Sequence, residues 1–167
     1  MVWENFVLWS SSFIYQFSYA AIFILSFIGT STILIPFPIY LIIFFASGMG
    51  LNPILVGIVS GLGSGFGELT GYLVGAGSRS LMEEKKVKKR WRKIEKLFKA
   101  LFNSYGFLVI VIAAFLPFPF DFVGVLSGVG KYDIKKFILA TSIGKVSKCL
   151  IIAYAGYFTL PYLWSWA

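Results

Sequence analysis

The sequence predicts an all-α polytopic membrane protein of two similar halves, each a proline-broken apolar segment followed by a transmembrane helix, with a basic amphipathic surface helix between them. Three observations carry that expectation. Hydrophobic residues make up 58% of the 167-residue chain and charged residues only 13%, well outside the composition of a soluble domain. Pro36-Phe37-Pro38 followed by Ser47-Gly48-Met49-Gly50 returns as Pro117-Phe118-Pro119 followed by Ser127-Gly128-Val129-Gly130, and laying Ser47 on Ser127 sets an offset of 80 residues. Ten of the fifteen basic residues fall in one block between Arg79 and Lys99, with apolar sequence on either side.

Composition also excludes classes of function. The chain has no histidine, and so lacks the commonest general base and the commonest metal ligand. Ser127, Ser147 and Tyr72 make a poor nucleophile set without one, so neither an enzyme nor a cofactor is expected. Cys149 is the single cysteine and allows no internal disulfide. A net charge of +8 invites a nucleic-acid reading, but a basic block flanked by apolar segments fits anionic lipid headgroups better. The first residues, Met1, Val2, Trp3 and Glu4, lack the basic region of a removable signal peptide.

Taken in order, residues 1–19 mix Trp3, Phe6, Trp9 and Phe13 with Glu4, Gln16 and three consecutive serines, which suits an interfacial segment. The first repeat is expected over 20–77. Residues 20–35 are apolar for about 24 Å of helix, short of a full crossing. After Pro36 and Pro38 a second short arm runs to the turn-forming Gly50-Leu51-Asn52-Pro53, so this segment is either one kinked span or a re-entrant hairpin. A span over residues 54–76 follows. Its glycines form two series four apart, Gly57, Gly61, Gly65 and Gly67, Gly71, Gly75, a spacing that lets a second helix approach closely. Gly61-Leu62-Gly63 is no dinucleotide motif, because no strand precedes it.

Residues 78–104 read as a cytoplasmic amphipathic helix: Val87, Trp91, Ile94, Phe98 and Leu101 recur at helical spacing on one stripe. Its other faces carry Lys85, Lys86, Lys88, Lys89, Arg90, Arg92 and Lys93, the expected contacts for anionic headgroups. The second repeat is expected over 105–160. Read as a kinked span, residues 107–130 would put Lys131, Lys135 and Lys136 across the membrane from the basic helix, against the charge bias of cytoplasmic loops. A hairpin around Pro117 and Pro119 keeps them on one side, and is the reading adopted. A last span over 137–160 ends in Tyr162, Trp164 and Trp166, an aromatic belt.

Four ionisable residues then fall at one depth. Counting inward from Ser78 and Lys136, Glu68 lies about 15 Å deep, Lys145 about 14 Å and Lys148 about 18 Å, with Asp121 close behind the hairpin tip at about 15 Å. Charges near the midplane are functional candidates by default, and broken segments in matching places point to a transport site between repeats. The 80-residue offset sets Glu68 opposite Lys148, so these two are expected to be coupled across the repeat interface. As alternatives, the charges only fix the packing of the repeats, in a non-transporting scaffold whose basic helix recruits partners.

With Gly67-Glu68, Tyr72 and Gly75 in the order Gly-acid-x-x-x-Tyr-x-x-Gly, two proline-broken segments, a basic helix and a closing helix, the chain resembles the DedA superfamily, also called SNARE-associated or VTT-domain membrane proteins. The resemblance covers residues 35–156. Larger members carry arginines where this chain has Ala114 and Phe120; the chain instead resembles a smaller branch with Pro117 to Asp121 as Pro-x-x-x-Asp and Gly144-Lys145-Val146-Ser147-Lys148 as Gly-Lys-x-x-Lys. The resemblance implies two facing re-entrant hairpins in an inverted repeat, broken at Pro36, Pro38, Pro117 and Pro119. It also implies lipid movement, with phospholipids and polyprenyl phosphates as substrates in the wider family. The expectation is therefore a multi-pass plasma-membrane flippase or scramblase of an anionic lipid, proton-coupled through Glu68 and Asp121. Its partners are membrane lipids rather than nucleic acid, with a homo-oligomer as a further option.

Overall fold

A computed structural model describes residues 2–31, 39–78, 102, 105–117 and 120–164, with side chains described only from residue 17 and not beyond 162. All regular structure in these residues is helical: α1 (Val2–Ser31), α2 (Ile39–Gly48), α3 (Pro53–Gly67), α4 (Leu69–Ser78), α5 (Tyr105–Phe115), α6 (Asp121–Val129) and α7 (Ile134–Trp164). Pro36, Pro38, Pro119 and the basic block from Lys85 to Lys93 lie outside the described residues. The expected boundary at residue 19 falls inside α1, which runs through it without a break.

Local chemistry explains where the long helices begin. Asn52 Oδ1 accepts from the Ile54 and Leu55 amides at 2.9 and 3.3 Å, and Pro53 follows as the first helical residue. Such a cap contributes about 1 kcal/mol, and proline in the first turn loses no bond because its missing N–H would be unpaired there. Gly50 reaches φ +104° in the turn before it, a conformation open mainly to glycine. At α7 the Lys136 amide donates to Asp133 Oδ1 at 2.8 Å, and the preceding turn passes through Lys131 at φ 55°.

Glycine faces then set the helix directions. Gly57 meets Leu150, Gly61 meets Val146 and Gly65 meets Ser142, so α3 and α7 run antiparallel. A Cβ at Gly57 would lie 2.8 Å from the Leu150 Cα, which is why the first glycine series is needed. The second series divides. Gly67, with Gly63, faces α1 at Phe23, Phe27 and Thr30, whereas Gly71 and Gly75 face α6 at Asp121, Gly124 and Val125.

Because residue numbers rise together in these contacts, α1 runs parallel to α3, and α6 runs parallel to α4. By the same test α2 runs parallel to α7, through Phe44 against Gly156 and Gly48 against Leu160. So does α5, through Val111 and Phe115 against Gly144 and Leu116 against Lys148. The chain therefore reverses between α1 and α2, and again between α5 and α6. Both proline-broken segments are hairpins. Neither segment is one continuous kinked helix.

Among the described residues, two stretches are long and apolar enough to cross a membrane, Pro53–Ser78 and Ile134–Tyr162. They form a central crossed pair, and a small core fills each side of it. One core joins Ile22 of α1, Ile39 and Ile43 of α2, Val56 of α3, and Cys149 and Ala153 of α7. The other joins Tyr72 of α4, Ile110 and Ala114 of α5, Phe120, and Phe137 and Ala140 of α7. Each hairpin thus packs on both long helices, one at each end of the crossing.

Candidate functional site

Between the two cores the first long helix is interrupted, and the interruption is Glu68. α3 stops at Gly67, α4 starts at Leu69, and the freed Gly67 carbonyl accepts from the Thr70 hydroxyl at 2.9 Å. The same hydroxyl lies 3.0 Å from the Ser31 carbonyl at the end of α1. Irregular backbone at this depth is tolerable only when covered by protein. Here α1 and α7 cover it.

Glu68 and Lys145 are 3% and 4% exposed, and Lys145 Nζ donates to Glu68 Oε1 at 2.5 Å. The Lys145 ammonium also lies 5.4 Å from the centroid of the Phe120 ring, where the ring face attracts a cation. Glu68 Oε2 has no hydrogen-bond partner among the described residues, and neither do the buried hydroxyls of Ser64 and Thr141. Ser64 stands one turn before Glu68 and Thr141 one turn before Lys145, so the pair continues a polar seam along the α3–α7 contact. Ser60 and Cys149, both buried, extend the seam by a further turn. A buried ion pair of this kind contributes little net stability, but it is costly to break, because one charge is then left without its partner.

The other two candidates lie outside this enclosure. Lys148 is half-buried and its Nζ donates to the Leu116 carbonyl at 2.7 Å, with the Tyr40 ring centroid 5.5 Å away. Asp121 occupies the first turn of α6, is partly exposed, and feels the charge of Lys145. Among the described residues neither forms a salt bridge.

The four candidates therefore gather in one region, but the expected coupling of Glu68 with Lys148 is corrected. Glu68 pairs with Lys145. The antiparallel register of α3 on α7 descends from Gly57 opposite Leu150 to Gly65 opposite Ser142, so Glu68 lies beyond Ser142 toward the start of α7, and of the two lysines Lys145 is the nearer, its side chain leaning toward that end of the helix. The signal was present in the sequence as Gly67-Glu68 and Gly144-Lys145. Gly67 packs against the Phe27 carbonyl, Thr30 and the Ser31 amide, and Gly144 packs against the Val111 carbonyl, Ala114 and the Phe115 amide. The two glycines sit in similar sockets 77 residues apart, against the offset of 80 taken from Ser47 and Ser127. Sequence reasoning also missed the Phe120 ring, the Leu116 carbonyl and Tyr40, whose roles depend on what α7 brings beside them.

The VTT domain family model matches residues 35–158, from just before α2 to the last turns of α7. No curated protein and no solved structure matches the chain.

Proposed function

Because this chain belongs to the VTT-domain family, the domain of DedA and SNARE-associated membrane proteins, we propose that it moves an anionic lipid between leaflets as a flippase or scramblase. The observation that carries this reading is the Glu68–Lys145 pair, enclosed at the break of one long helix and beside the ends of two hairpins. Ionisable residues and broken helices together at the membrane midplane mark substrate and ion pathways.

The direction of the helices supports an inverted repeat. α1, α2 and α3–α4 run one way, back and forward again, and α5, α6 and α7 run in the opposite sense at each step. The matched sockets of Gly67 and Gly144 support the same correspondence. In that reading the hairpins are re-entrant from opposite faces and their tips meet near the charges. The C-terminal ends of α4 and α6 lie at one end of the molecule, which supports a shared cytoplasmic side for the basic segment and for Lys131, Lys135 and Lys136. Asp121 and Glu68 offer the groups for proton coupling, and the basic residues from Lys85 to Lys93 serve as contacts for anionic headgroups.

Purified protein reconstituted in liposomes tests the reading with fluorescent phosphatidylglycerol, phosphatidylcholine and polyprenyl phosphate. The expected result is leaflet exchange of an anionic lipid well above that of protein-free vesicles, accelerated by a pH gradient. Exchange no faster than in protein-free vesicles for any of the three overturns it and favours a scaffold.

A further inference from the structure

On that reading of the function, the two lysines of α7 do different work, and we infer that Lys148, beside Tyr40, is the contact for the lipid phosphate, which takes the ammonium over from the Leu116 carbonyl. The geometry at the hairpin end leads to this. α5 stops at Phe115 and residue 117 is proline, so the chain turns away and its last carbonyls need donors from elsewhere. Lys148 Nζ supplies one to Leu116 at 2.7 Å, at the negative end of the α5 dipole.

That single bond leaves the ammonium with unused donors. No carboxylate lies within salt-bridge distance of it among the described residues, and the Tyr40 ring centroid lies 5.5 Å away. A cation without a carboxylate is costly in hydrocarbon, and a phosphate oxygen is the acceptor that suits it best. Access is from the bilayer side. Leu116, Phe115 and Ile151 are exposed apolar residues around the Lys148 position, suited to acyl chains and not to a free ion. Lys145, one turn away, is closed off by Glu68 and Phe120 and has no such opening. Tyr40 begins the returning arm of the first hairpin and Leu116 ends the outgoing arm of the second, so a headgroup held by Lys148 touches the ends of both.

Binding of dioctanoyl phosphatidic acid to the full-length protein in detergent, measured by calorimetry beside inorganic phosphate and dioctanoyl phosphatidylcholine, tests the assignment. Phosphatidic acid is expected to bind most tightly. Lys148→Met should weaken it about tenfold or more, the loss of one charge-assisted hydrogen bond, with an unchanged Tm, and Lys148→Arg should restore most of it. Parental affinity in Lys148→Met, no binding by the parent, or equal affinity for inorganic phosphate overturns the assignment. A parent that exchanges anionic lipid, with a Lys148→Met variant that exchanges it equally fast, overturns this contact and leaves the transport reading. Binding through Lys148 in a protein that exchanges no lipid overturns the transport reading alone.

Discussion

Lys148 follows Lys145 by three positions on α7, yet Lys145 is enclosed against Glu68 and Phe120 while Lys148 reaches outward to the Leu116 carbonyl and the Tyr40 ring. The difference comes from what each helix face meets. Lys145 shares its face with Thr141 and Cys149 and looks into the α3–α7 crossing, and Lys148 lies to one side, where α5 ends. Two ammonium groups at similar depth thereby acquire opposite properties: one is a partner in a packed interface, the other is available to something outside the protein. Depth alone does not separate a structural charge from a binding charge. The number of neighbours already committed to it does.

Breaking the enclosed pair should give the largest effect on stability. Glu68→Gln or Lys145→Met is expected to cost about 3–5 kcal/mol, because each leaves a buried charge uncompensated. A thermal or denaturant melt in detergent reads this directly, and either variant melting as the parent does would remove the pair from the fold. Next come the glycine contacts that hold α7 in register. Gly61→Leu is expected to cost about 1–3 kcal/mol by overpacking, since a Cβ there would already press on the Val146 backbone. Gly77→Ala, with nothing within 4 Å of the added carbon, should be tolerated in the same melt. Smallest is Lys148→Met, expected within about 0.5 kcal/mol of the parent, as for other substitutions away from a buried network. A loss comparable to that of Lys145→Met would erase the contrast between the two lysines.

Much of the architecture was legible in the sequence because it rests on local rules. The apolar periods, the turn at Gly50-Leu51-Asn52-Pro53 and the proline breaks each act within a few residues. The choice of a hairpin for residues 107–130 followed from charge bias alone, and the parallel contact of α4 and α6 agrees with it. The glycine series were read as faces for close helix approach, and that holds, although Gly67 turned out to serve α1 while Gly71 and Gly75 serve α6.

The partner of Glu68 was not legible from the repeat offset. An offset taken from Ser47 and Ser127 describes the hairpin ends, and α3 contains about one more helical turn between its cap and its charge than α7 does. A shift of three residues in the offset changes the partner from Lys148 to Lys145. The contacts of Phe120 and Tyr40 were beyond reach for a different reason. They lie 25 and 108 residues from the lysines they meet, and only the packed helices bring them there.

The most direct measurement is a pair of double-mutant cycles on stability, Glu68→Gln with Lys145→Met and Glu68→Gln with Lys148→Met. Contacting residues show coupling of about 0.5–3 kcal/mol, and independent ones add within about 0.3–0.5 kcal/mol. The expected result is coupling in the first cycle, with the double variant more stable than the sum of the single losses allows, and additivity in the second. Additivity for Glu68 with Lys145, or coupling for Glu68 with Lys148, would contradict the division of the two lysines into an enclosed partner and an outward contact.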